Sequence, residues 1–277
     1  MAVTTRNFRL TYWILSSLSL VMLLGTIVLA IRIGTDKRLP FFLADTRLYT
    51  EYFFFGKPVG IQLAAALEMC VLALGVSAVL MVVLFTFQKT VSAEVYLIAL
   101  WVFLVDVETL RLLMLVIAQR STSIGSLVSL TRVVYGGRFT GLILLFISGL
   151  YAVGIGHERP QTGALLALLF GTMLAMLMPI SIDRFQSSFM LQAGYRNITM
   201  IVTTSLIVIN CVDYFVAARL KEDMSYAYAG IGLTAAASAW VWLWDARSLV
   251  GGMGVALFFV LCVLVATERL HKIYIWK

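Results

Sequence analysis

The chain is built from long apolar runs, each about as long as a bilayer is thick. Crossing the roughly 30 Å hydrocarbon layer takes a helix of about 20 residues. With charges and turn formers read as boundaries, spans fall near 10–33, 61–87, 93–119, 139–156, 162–182, 198–218, 227–244 and 249–267. Only Asp245-Ala246-Arg247 separates the last two, so seven spans is the alternative count. Barrel strands would alternate polar and apolar residues in segments of about ten; these runs are continuous. The expectation is an all-α, polytopic transmembrane helical bundle of about eight spans, forming one integral membrane domain over residues 1–277.

Composition agrees. Hydrophobic residues make up 61% of the chain and charged residues 13%, about half the share normal for a domain whose outside is water. The net charge of +7 is spread over the connections rather than gathered in one stripe, so it points to lipid head groups and not to nucleic acid. Arg6 and Arg9 precede the first run as in a secretion signal, but that run is too long and lacks a small-residue cleavage site, so it reads as a retained helix. Cys70, Cys211 and Cys262 fall inside spans and read as packing residues. His157 and His271 lie at a loop and at the tail, so neither a metal nor a cofactor is expected.

Eight spans put both termini on one side, and basic residues beside the first and last spans favour the cytoplasm for it. The first connection, 32–60, is rich in Phe and Tyr, which suits a loop resting on head groups or, alternatively, a binding lid. The second, 119–138, reads as a Ser/Thr-rich loop or a short amphipathic helix. Trp240, Trp242 and Trp244 read as an interfacial belt in preference to an aromatic cage. Pro179 marks a bend or the end of the fifth span.

Ionisable groups inside spans carry the most information, because each costs about 2.5–3.5 kcal/mol at a helix centre in hydrocarbon. Glu68 falls in the second span, Asp106, Glu108 and Arg111 in the third, and Asn210 and Asp213 one turn apart in the sixth. Glu108 and Arg111 share a helix face. Counting along antiparallel neighbours sets Glu68 at the depth of Arg111, which predicts a buried cluster of Glu68, Glu108 and Arg111. Asp106 is turned away from Glu108 by about 200°. Such a cluster serves either as a ligand or proton-relay centre or as an ion pair that fixes packing. Asp106, with no cationic partner assigned, is the sharpest single candidate. Asn210 and Asp213 either approach the same cavity or simply place Asp213 at the interface.

Ser92-Ala93-Glu94, Glu108-Thr109-Leu110-Arg111, Arg132, Gly137-Arg138-Phe139 and the ending Leu270-His271-Lys272-Ile273-Tyr274-Ile275-Trp276 together resemble uncharacterised bacterial multi-pass membrane proteins. The resemblance covers most of the chain from about residue 88. It implies a bacterial inner membrane and no particular activity. A retinal-type photoreceptor would need a lysine in a late span, and all six lysines lie outside the spans. A protease or acyl transferase would need a recognisable nucleophile and base, which the spans lack, so no enzyme activity is expected. Two classes are left: a non-enzymatic sensor or membrane-complex subunit, binding a small ligand or a partner protein, and a secondary transporter or proton-coupled permease. The absence of an internal repeat and of paired Gly/Pro-broken helices places the first ahead.

Overall fold

The computed structural model describes residues 2–35, 52–54, 57–59, 61–87, 92–120, 124–155, 160–185, 190–244 and 249–275. It is a helical bundle. Its elements run α1 (Ala2–Thr35), β1 (Tyr52–Phe54), β2 (Lys57–Val59), α2 (Ile61–Thr86) and α3 (Ala93–Asp106). A 3-10 turn (Val107–Thr109), α4 (Leu110–Arg120), α5 (Ile124–Val153) and α6 (Pro160–Leu177) follow. The chain continues through β3 (Ile180–Phe185), β4 (Leu191–Ala193), α7 (Arg196–Leu220), α8 (Met224–Leu243) and α9 (Leu249–Ile275). Each strand pair is a small antiparallel hairpin, β1 with β2 and β3 with β4, set in a connection between helices.

Among the described residues six helices are long and apolar enough to cross a membrane: α1, α2, α5, α6, α7 and α9. The remaining long rods are α3–α4 and α8. Helix α3 buries residues on every side, from Glu94 and Val95 through Trp101 to Asp106, and packs mainly against α5, α2 and α1. Its Trp101 meets Trp240 of α8 and Phe259 of α9 edge to face at centroid distances of 6.1 and 5.5 Å. An all-round apolar helix belongs in such a place. Helices α1 and α6 sit on the outside, against α2 and α5 respectively, and expose leucines such as Leu24 and Leu165. In a bilayer those side chains have lipid as their solvent.

Local signals set several helix ends. Ser92 caps α3, its Oγ accepting from Val95 N at 3.2 Å and donating to Glu94 Oε2 at 2.8 Å. Asp223 caps α8 by accepting from Ser225 N at 2.9 Å. Gly154, with φ of 109°, ends α5 in a backbone conformation that side chains disfavour.

The structure corrects the expected boundaries at three places. The helix that carries the fourth run begins at Ile124, so residues 124–138, read as a loop or short helix, are part of α5. The third span is not one helix, because the 3-10 turn at 107–109 breaks it. The fifth stops at Leu177; Pro179 lies beyond that end, its carbonyl accepting from Gly194 N at 2.8 Å, and a strand follows. Most of the aromatic first connection, His157 and the Asp245-Ala246-Arg247 separator lie outside the described residues.

Candidate functional site

The break in the third rod builds the centre of the molecule. Thr109 donates its hydroxyl to the Asp106 carbonyl at 2.7 Å, closing the 3-10 turn that carries Glu108. Glu108, 1% exposed, is then clamped from α5: Arg138 Nε donates to Oε1 at 2.6 Å and Nη2 to Oε2 at 2.8 Å. This two-point fork is the strongest geometry available to a guanidinium and a carboxylate. Arg111, one turn along, places Nε 3.3 Å from Glu108 Oε2. Its Nη1 and Nη2 donate to the Leu243 carbonyl at 3.2 and 3.3 Å, and Nη2 also reaches Met69 Sδ at 3.5 Å. The carbonyl belongs to the last turn of α8, where a cation is favoured by the helix dipole. Arg138 is further sandwiched by Trp244, 4.5 Å from the ring centroid, and Tyr135 at 5.2 Å.

Glu68 joins this centre from α2, within electrostatic reach of Arg111 and Glu108. Gly252 of α9 makes room for it, since a Cβ at that position would stand 2.5 Å from Glu68 Oε2. Glu68 Oε1 has no hydrogen-bond partner. Glu68, Glu108 and Arg111 are all buried, and Glu68 is electrostatically coupled to the other two. Arg138 is the member that sequence reasoning left out of the cluster.

Asp106 faces the other way, as its angular offset requires. Its Oδ2 accepts from Ser19 Oγ of α1 at 2.8 Å, and Ser19 shares a 2.8 Å hydrogen bond with Ser77 of α2. The carboxyl is fully buried and Oδ1 lacks a partner. Asn210 and Asp213 do not meet either group. They pack against Gly149 of α5, where a Cβ would come within 3.0 Å of Asn210 Oδ1 and of Asp213 Oδ2. Gly149 lies 11 residues beyond Arg138, about 16 Å along the helix. Both polar atoms of Asn210 and Oδ2 of Asp213 are buried without a hydrogen bond.

Two further polar places were not foreseen. Glu94, buried at the start of α3, lies in electrostatic contact with Tyr214 of α7, whose hydroxyl is 3.4 Å from Ser148 Oγ. A small pocket of about 40 Å³ opens beside Arg138, Tyr135 and Trp244 against Arg196 and Thr199 of α7. Of the three clustered tryptophans only Trp242 faces outward, at 48% exposure; Trp240 and Trp244 turn into the core, so the belt reading fails for those two.

Fold and centre together define a helical membrane protein organised round a buried ionic cluster. No family model, no curated protein and no solved structure matches the chain.

Proposed function

We propose that the protein is a non-enzymatic, multi-pass membrane-complex subunit or sensor with eight crossings, α3–α4 and α8 completing the six that length and apolarity mark. The observation that carries this reading is a contrast between two polar places. In the centre, Arg138 holds both carboxylate oxygens of Glu108, and Arg111 is held by Glu108, the Leu243 carbonyl and Met69, which suits a packing lock. At the α5–α7 seam, Asn210 and Asp213 keep buried polar atoms without partners, on a helix whose neighbouring Val212 and Phe215 are exposed. Asp213 is half-buried beside those exposed residues, and its unsatisfied carboxyl oxygen is what a partner helix or ligand reaching into the seam would satisfy. The resemblance to bacterial multi-pass proteins supports an inner-membrane location, and the basic residues beside the first and last spans support cytoplasmic termini.

A specific observation favours a second reading, a proton-coupled permease. Asp106 Oδ1 and Glu68 Oε1 are buried and unpartnered. Ser77 and Glu68 are nine residues apart on α2, about 13.5 Å, so a relay between them needs intervening water.

Native mass spectrometry of gently solubilised protein separates the two. A stoichiometric second chain that is lost in Asp213→Val, with the melting temperature kept, supports the subunit reading. A lone chain whose proton-driven flux in proteoliposomes is abolished by Asp106→Asn overturns it in favour of transport.

A further inference from the structure

A groove of about 390 Å³ runs between α3, α5 and α6, within the roughly 300–1,000 Å³ common for ligand sites. It exists because α5 carries Gly136 and Gly137 where side chains would fill it. A Cβ on Gly137 would stand 3.3 Å from Val107 Cγ1, and one on Gly136 would stand 3.7 Å from Ala175 Cβ. The walls are apolar, Leu104, Val107 and Met176 among them, and the outer edge faces the membrane, Met176 being 62% exposed.

One end of the groove is charged. Arg132 lines it, and its Nε is buried without a hydrogen-bond partner. Among the described residues lining the groove there is no carboxylate to neutralise it. Its depth follows from the register of the two helices: Gly136 opposes Ala175 and Gly171 opposes Thr140. Arg132 is one turn before Gly136 and therefore level with Pro179, just beyond the end of α6 at Leu177. Helix α6 has 18 residues, about 27 Å, close to the hydrocarbon thickness. Arg132 thus sits where the hydrocarbon ends and head groups begin, with the apolar groove running below it.

We propose that this groove binds one anionic membrane phospholipid, its phosphate paired with Arg132 and one acyl chain laid between α3, α5 and α6. Charge complementarity selects this occupant: an apolar helix would leave the guanidinium unmatched, whereas a lipid phosphate supplies an anion at head-group depth. The site is independent of the α5–α7 seam and of Asp106.

Native mass spectrometry of the full chain, titrated with phosphatidylglycerol or phosphatidylcholine, tests it. The wild type retains one phosphatidylglycerol in preference to phosphatidylcholine. Arg132→Gln weakens that binding about five- to tenfold, the factor expected for one arginine at a lipid surface. Arg132→Lys keeps most of it. Thr172→Phe, which fills the groove and leaves the arginine in place, weakens it comparably. Arg219→Gln, in the last turn of α7, changes nothing. Melting curves establish that each variant is folded. Equal retention of the two lipids, unaltered binding in Arg132→Gln or in Thr172→Phe, or a dimer in place of a lipid adduct each overturn the proposal.

Discussion

Removing one member of the Glu108–Arg138 pair strands the other as a buried charge, and that consequence dominates the energetics at the scale of single residues. Glu108→Gln leaves two guanidinium groups without their carboxylate, so a loss of about 3–5 kcal/mol is expected, read as a lower melting temperature in detergent. Arg138→Lys is expected to be damaging as well, because an ammonium replaces neither the fork nor the stacking on Trp244. Gly252 and Glu68 form a second, cheaper test. Gly252→Ala forces the Glu68 carboxylate aside and lowers stability, while in a Glu68→Ala background the same change costs less. A coupling of about 0.5–3 kcal/mol is the expected size, and additive effects would refute the packing of Glu68 against α9. The association of Glu68 with Glu108 and Arg111 was expected from the sequence because helical rise and antiparallel order turn residue number into height, and Glu68 is electrostatically coupled to both. Arg138 was not, because a charge was read as the edge of a span. That rule holds for a charge that must reach water and fails for one whose counter-charge, Glu108, lies 30 residues away in the chain and is buried with it.

At the scale of elements, the long apolar rods were legible, but the interruption between α3 and α4 was not. Val107-Glu108-Thr109 contains neither glycine nor proline. The turn is held instead by the Thr109 hydroxyl on the Asp106 carbonyl and by the pull of Arg138 on Glu108. Long-range partners of this kind leave no local signal. The approach of α5 to the turn depends on Gly137, whose hydrogen leaves Val107 in place. Gly137→Val is expected to wedge the two apart, lengthen the Glu108–Arg138 contact and cost about 1–3 kcal/mol by overpacking. If the valine variant melts like the wild type, α5 does not seat on the turn as described. The start of α5 was misplaced for a related reason: Ser126, Ser129, Thr131 and Arg132 look like a loop in water, yet they lie along a helix, Ser126 and Ser129 exposed and Thr131 fully buried.

For the whole molecule, what the sequence concealed is the order of the helices round α3. Lipid tails are as apolar as a protein core, so a helix facing lipid on one side and protein on the other shows little contrast between its faces. Burial gives the order instead, and with it a topology. If every rod crosses, the α5–α6 and α7–α8 turns lie on one side with the start of α1 and the end of α9, while the start of α5 and the β3–β4 hairpin lie on the other. The contacts agree with that division. Phe8 of α1 meets Tyr96 near the start of α3, and Phe87 after α2 meets His271 near the end of α9, all at one end of the bundle. Replacing Cys70, Cys211 and Cys262 by alanine and adding single cysteines turns the topology into a measurement. Ile155→Cys and Met224→Cys should react with a membrane-impermeant maleimide from one face of sealed vesicles. Gly125→Cys and Tyr195→Cys should react only from the opposite face. These sites suit the purpose because Ile155, Met224 and Tyr195 are more than half exposed and a side chain at Gly125 meets nothing within 4 Å. Labelling of Ile155→Cys and Met224→Cys from opposite faces would remove one of the eight crossings. Agreement at all four sites would place Arg132, and the lipid phosphate it is proposed to hold, in the leaflet opposite the termini.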